Sequence, residues 1–161
     1  ALKRVRCELT DDWIKNDVLQ KYIDDLENRY GTKRCMKPWQ VSPTVLPNHL
    51  YPDLWLAERS LKFIENMPRN KPWLLWISFV GPHEPFDTPM PWHGIHEKKE
   101  MPEAISRYEW INQLKKDNEL SKTWARWNKL HITKREITSC RRDYSDHLAL
   151  LDKQVGLLYN T

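Results

Sequence analysis

The stretch Lys71-Pro-Trp-Leu-Leu-Trp-Ile-Ser-Phe-Val-Gly-Pro-His-Glu-Pro-Phe-Asp87 carries the reading of the fold. From Trp73 to Val80 only Ser78 is polar, and no turn residue interrupts the run. An apolar segment of this length predicts a strand covered on both faces, as in a parallel sheet flanked by helices. Gly81-Pro82 then stops it, because proline lacks the N–H that a central strand donates. Ligands of open α/β sheets gather just beyond the carboxyl ends of strands, so His83 stands where chemistry is expected.

The flanking residues point to the same architecture. Pro52-Asp53 opens a helix with Leu54, Ala57, Leu61 and Ile64 on one face, ending near Asn66 before Pro68. Helix, short turn and buried strand make half of a crossover unit, which predicts the α/β class. Thr10-Asp-Asp begins another helix to about Tyr30, with Thr10 as its cap and the aspartates at the positive end of the dipole. Gly31 suits its stop, and Leu19, Tyr22, Ile23, Leu26 and Tyr30 form its apolar stripe. Residues 33–52 hold Pro38, Pro43, Pro47 and Pro52 and read as an extended connector.

Beyond the expected strand, residues 82–104 carry five prolines and read as a long loop over the active face. Residues 105–139 are basic and rich in Trp, and no element is assigned there. A final helix shows Tyr144, Leu148, Leu151, Val155 and Leu158 as its stripe, with Gly156 expected to allow close packing. One strand is not a sheet, so its partners are expected outside this chain.

Composition narrows the function classes. The 161 residues suffice for one domain with a core, and nothing in them reads as low-complexity or disordered. The net charge of +4 is uneven: Lys98 to Arg142 holds twelve Lys/Arg against six Asp/Glu. That stretch could meet an anionic substrate, a nucleic acid or an acidic neighbour, although a solvated helical face is the ordinary explanation. Cys7, Cys35 and Cys140 make neither a disulfide framework nor a zinc-knuckle spacing. No apolar run approaches the roughly 20 residues that span a bilayer. The chain opens Ala-Leu-Lys-Arg and closes on Tyr159-Asn-Thr161 directly after a helical pattern, so an internal segment of a longer protein is expected.

Among possible site residues, Glu84 and Asp87 neighbour His83 and either could orient its imidazole, although exposed loop carboxylates are commonly only solvated. His93-Gly-Ile-His96 sets two histidines three apart, a spacing a metal could use, but no third ligand is evident. Trp92, Trp110, Trp124 and Trp127 among basic residues could stack bases or sugars, while packing or the lining of a cleft is the ordinary role. Asp152 reads as structural, and His49 and His147 as packing or solvated residues.

Three stretches, in order, resemble the sulfatase family of the alkaline-phosphatase-like superfamily. Pro72-Trp-Leu-Leu-Trp-Ile-Ser-Phe-Val-Gly-Pro-His-Glu-Pro-Phe-Asp-Thr-Pro89 is similar to a central strand ending in the family's Pro-His-x-Pro turn. Leu46-Pro-Asn-His-Leu-Tyr-Pro-Asp-Leu-Trp-Leu-Ala-Glu-Arg-Ser-Leu-Lys-Phe-Ile64 looks like the helix before that strand. Tyr144-Ser-Asp-His-Leu-Ala-Leu-Leu-Asp-Lys-Gln-Val-Gly-Leu-Leu158 is similar to its Tyr…Asp-x-x-Val/Ile-Gly helix. The resemblance covers roughly residues 40–161.

The resemblance implies an internal part of one sulfatase-type catalytic domain spanning residues 1–161. It would comprise a helical lead-in (1–32), a Pro-rich connector (33–52), a helix-strand-His loop (53–87), a variable substrate-side insertion (88–140) and a helix (141–161). The implied fold is an α/β sandwich with a mostly parallel central sheet, incomplete in this chain. The implied activity is hydrolysis of a sulfate monoester, a sulfated glycan being one candidate substrate, with a formylglycine nucleophile and a divalent metal, usually calcium, held by Asp and Asn. His83 matches the histidine that contacts the sulfate and is the catalytic and substrate-binding residue expected here. A fixed imidazole can give a hydrogen bond or proton to the charge that builds on sulfate and leaving-group oxygens.

The chain also departs from the family pattern. It contains no Cys/Ser-x-Pro-x-Arg motif, since Cys35-Met-Lys-Pro38 puts proline one place late. Asp11-Asp12 and Asp24-Asp25 imitate a metal-binding pair but belong to a capped helix, and Asp146-His147 imitates the family's metal-binding Asp-His/Asn element but lies within a helical stripe, without the apolar strand expected before it. No metal ligand is therefore assigned. Nucleophile and calcium ligands are expected outside these residues, which alone should be inactive. The alternatives are a phosphonate or phosphate ester hydrolase of the same superfamily, or a non-catalytic polyanion-binding protein on the same fold. A nucleic-acid module ranks below both.

Overall fold

Helix α1 spans Glu8–Lys15 in the computed structural model, which describes residues 7–30, 39–104 and 132–161. It begins two residues before Thr10, whose hydroxyl accepts from the backbone N–H of Cys7 at 2.9 Å. The helix expected to run unbroken to Tyr30 is two helices. Asp17 takes φ 55°, a left-handed conformation that Asp tolerates better than most residues, and α2 follows over Leu19–Tyr30. The break folds α2 back on α1, so the rings of Trp13 and Tyr22 meet edge to face with centroids 5.1 Å apart.

A short 3-10 turn, Asn48–Leu50, leads into α3, Pro52–Glu65, with proline in the first turn as the sequence anticipates. The last helix, α4, spans Lys134–Tyr159. It starts well before residue 141, inside the stretch to which no element was assigned. Thr133 caps it, accepting from the Glu136 N–H at 3.2 Å, while Glu136 reaches back to the Thr133 N–H at 2.8 Å.

The core gathers Trp13, Val18, Tyr22, Leu46, Leu50, Tyr51 and Leu150. Trp13 Nε1 donates to the Leu50 carbonyl at 2.7 Å, which pins α1 onto the 3-10 turn. Arg29, only 2% exposed, pairs with Asp25 at 2.8 Å and reaches the Ser42 and Phe86 carbonyls. It thereby ties α2 to two loops that also pair through Ser42 N to Phe86 O and Thr44 N to Asp87 O.

The α/β sandwich is overturned. The described residues contain helices and no strand or sheet. Residues 73–80 are extended, yet they make no backbone–backbone hydrogen bond to a described residue. Leu74 is 91% exposed and Trp76 86%, the opposite of burial on both faces. An apolar run becomes a strand only when another strand takes up its backbone groups, and none of the described segments does so.

A second correction concerns α4. Its expected stripe is largely outward, with Tyr144, Leu148 and Val155 exposed. The face it buries is polar: Cys140, Asp143, Asp146, His147 and Gln154 surround Leu150. The partners of Asp143, Asp146 and His147 come from α3 and from the loop after residue 87, so hydrogen bonding satisfies much of a face that periodicity assigns to solvent. Gly156 has open space around it and packs on nothing described.

Candidate functional site

The site is organised by Asp53, in the first turn of α3. Its Oδ1 accepts from the Val80 N–H at 2.6 Å and its Oδ2 from the Gly81 N–H at 3.0 Å. The same Oδ2 lies 2.8 Å from Nε2 of His147 on α4. One buried carboxylate thus joins two helices to the end of the extended segment. Gly81 is required at this junction, since a Cβ there would overlap the His147 ring and fall within 2.6 Å of Asp53 Oδ2. His147 carried no sequence signal for this role beyond its place in a helix.

His83 follows on the turn that this clamp anchors, and its side chain is 69% exposed. Its Nδ1 lies 2.9 Å from the Glu84 carbonyl oxygen and 3.1 Å from Glu84 Oε2. Both are acceptors, so Nδ1 carries the proton and Nε2 is the nitrogen that remains for another partner. Glu84 is therefore the neighbour that orients the ring.

Asp87 does something else. It is 1% exposed, and its Oδ1 accepts from the Tyr51 hydroxyl at 3.3 Å. Its Oδ2 makes no hydrogen bond of ordinary geometry. Burial pushes its pKa up to about 6, while the Arg29 charge and the Thr44 hydroxyl oppose the shift without cancelling it. Burial, with the Asp87 and Asp53 charges adding to it, also pushes the Tyr51 phenol well above its ordinary value. A cavity of about 30 Å³ lies among Tyr51, Asp53, His83, Asp87 and His147, enough for one or two waters.

The loop after residue 87 meets α4 through a second polar cluster. His93 Nδ1 lies 3.1 Å from Asp143 Oδ1, and the Thr88 hydroxyl donates to Asp143 Oδ2 at 3.1 Å. His96 Nδ1 lies 2.7 Å from Asp146 Oδ1. The N–H groups of Gly94 and His96 also donate to Asp146, at 2.7 and 2.9 Å. Burial raises the Asp143 pKa against the lowering effect of His93 and Thr88. The two histidines for which the sequence offered no third ligand thus meet two aspartates some fifty residues away.

The other acidic pairs serve contacts within and between helices. Asp12 accepts from Trp55 Nε1 at 2.9 Å and pairs with Arg59 at 3.1 Å. Asp24 accepts from Gln20 and Asp25 from Arg29. His49 and Asp152 are exposed. Cys35, Trp110, Trp124, Trp127 and much of the basic stretch lie outside the described residues. No helix among those described is long and apolar enough to cross a membrane.

No family model matches the chain. It is similar to an arylsulfatase of Clostridium perfringens (strain 13 / Type A), with 27% identity over 118 residues. The match covers 73% of this chain and 24% of that protein, so the chain spans about a quarter of the relative's length. The chain is thus distantly similar to a sulfatase over most of its own length.

Proposed function

We propose that this chain is part of a sulfuric ester hydrolase of the sulfatase type, acting on a sulfate monoester, and that His83 contacts the sulfate. The similarity to the arylsulfatase carries the reading. The turn bearing His83 supports it, being anchored from behind by Asp53 while the imidazole stands open to solvent. With Nδ1 committed to Glu84, Nε2 is the atom that would meet a sulfate or leaving-group oxygen. Donation from there as an imidazolium would steady the charge that builds as the ester bond breaks. The Glu84 carboxylate, 3.1 Å from the opposite nitrogen, would hold the ring in that orientation.

Calcium and the formylglycine are part of this proposal as groups supplied from outside these residues. The chain does not fit them: it lacks the Cys/Ser-x-Pro-x-Arg motif, and its paired aspartates at 11–12 and 24–25 sit in helices, with Asp12 and Asp25 bound to cations.

Turnover of an aryl sulfate by the intact protein that carries this chain tests the reading. His83→Ala should lower kcat/KM by about 10²-fold or more with unchanged thermal stability. Unchanged turnover would remove His83 from the chemistry. Faster cleavage of an aryl phosphate than of the sulfate would move the substrate class, and polyanion binding without hydrolysis would overturn the enzyme reading.

A further inference from the structure

We propose that His93, Asp143 and Asp146 form a binding site for one zinc-class divalent cation, with His96 as the positioning residue for Asp146. Each of the three residues offers a ligand atom, and these atoms lie within 4.8 Å of one another. Zinc bonds of about 2.0–2.1 Å in a tetrahedron set donors roughly 3.3 Å apart. His93 Nδ1 and Asp143 Oδ1 are already 3.1 Å apart, and all three ligand atoms lie within 4.8 Å, so a modest turn of His93 toward Asp146 completes the set.

Three further features match what a metal site needs besides ligands. The carboxylates are held: Asp146 by two backbone N–H groups and the His96 ring, Asp143 by the Thr88 hydroxyl. Such outer contacts orient ligands and sustain affinity. The aspartate side chains are only 2% exposed, whereas His93 is 24% exposed and can turn toward an ion. An entry path exists, since a groove of about 640 Å³ runs past His93, Gly94, Asp143 and Asp146. The fourth coordination position would face that groove, open to water or to an anionic group drawn by Arg135 and Arg142 on its wall.

The ligand types select the ion. An imidazole with carboxylates suits zinc and its neighbours, while calcium takes six to eight oxygens and has no use for the ring nitrogen. Binding through His93 Nδ1 would shift the proton of the neutral ring to Nε2 and put a dication between two buried carboxylates. Without an ion these aspartates would serve only to anchor the loop at 93–96.

The experiment is zinc titration of the intact, chelator-stripped protein against a chromophoric competitor with calcium in excess, followed by cobalt(II) absorption as a geometry probe. One zinc equivalent should bind at micromolar affinity or tighter, with tetrahedral cobalt bands. His93→Gln should weaken it by at least about 10²-fold, and His96→Gln by about 10-fold, with unchanged circular dichroism. Asp143→Asn and Asp146→Asn alter buried groups that also hold the fold, so the more accessible His93 variants carry the test. Absence of zinc binding overturns the proposal, as does zinc affinity that neither His93→Gln nor His93→Ala changes. The readout is metal affinity, so its failure is separate from failure of the sulfatase reading.

Discussion

Asp53 and His147 meet at 2.8 Å, Oδ2 against Nε2, across 94 residues of chain, with both side chains buried. The contact locks α3 to α4, and the free oxygen of Asp53 holds the Val80 N–H. Asp53→Asn keeps the shape but sets an amide N–H against donors on at least one side. Unfolding in urea should show a loss on the order of 2–3 kcal/mol, because buried donors lose their acceptor. A loss below about 0.5 kcal/mol would mean that water replaces the carboxylate freely.

Gly81→Ala tests the same junction sterically. The new methyl would collide with His147 and Asp53, both packed and hydrogen-bonded and therefore unable to yield cheaply. A fall in stability of about 2 kcal/mol or more is expected, of the kind overpacking causes. Gly156→Ala is the control: open space surrounds it, and a helix interior favours Ala. It should be neutral or stabilising.

Asp87 gives the protein a pH-dependent weakness. Its folded pKa, about 6, lies above the ordinary 3.8, so the folded state prefers the protonated form. That contribution is complete below the unfolded value near 3.8 and is lost as pH rises through about 6. Asp87→Asn removes the titration. Its stability relative to the wild type should therefore rise between pH 4 and pH 7, by something on the order of 2–3 kcal/mol. Urea unfolding across that range checks it, and a constant difference would show that Asp87 titrates normally.

The cysteines should differ in reactivity. Cys7 is exposed, and hydrogen bonds from Thr10 hold its pKa below the ordinary thiol value. Cys140 is buried, donates to the Trp39 carbonyl at 3.1 Å, and is pushed up to about 11 by burial. Peptide mapping after brief alkylation at neutral pH should find Cys7 modified well before Cys140, since the thiolate is the nucleophile. Equal labelling would mean that α4 opens readily.

Local signals proved readable where they act over one or two turns. Pro52 at the start of α3 follows from capping chemistry confined to a few residues. The break at Asp17 was not legible, because an aspartate in the left-handed region carries no mark in composition. The extended run at 73–80 misled for a related reason: apolar continuity reports what a segment would bury, not whether a partner is present.

The candidate site divides along the same line. The sequence alone determined that His83 lies in a proline-bounded turn, and that His93 and His96 are spaced to act together. Only the tertiary structure decided that Asp143, Asp146 and His147 turn inward on α4 while Tyr144 and Leu148 turn out. The physical reason is that a buried polar group is stable only beside its partners, and those partners sit fifty to ninety-four residues away, beyond the reach of any periodic pattern.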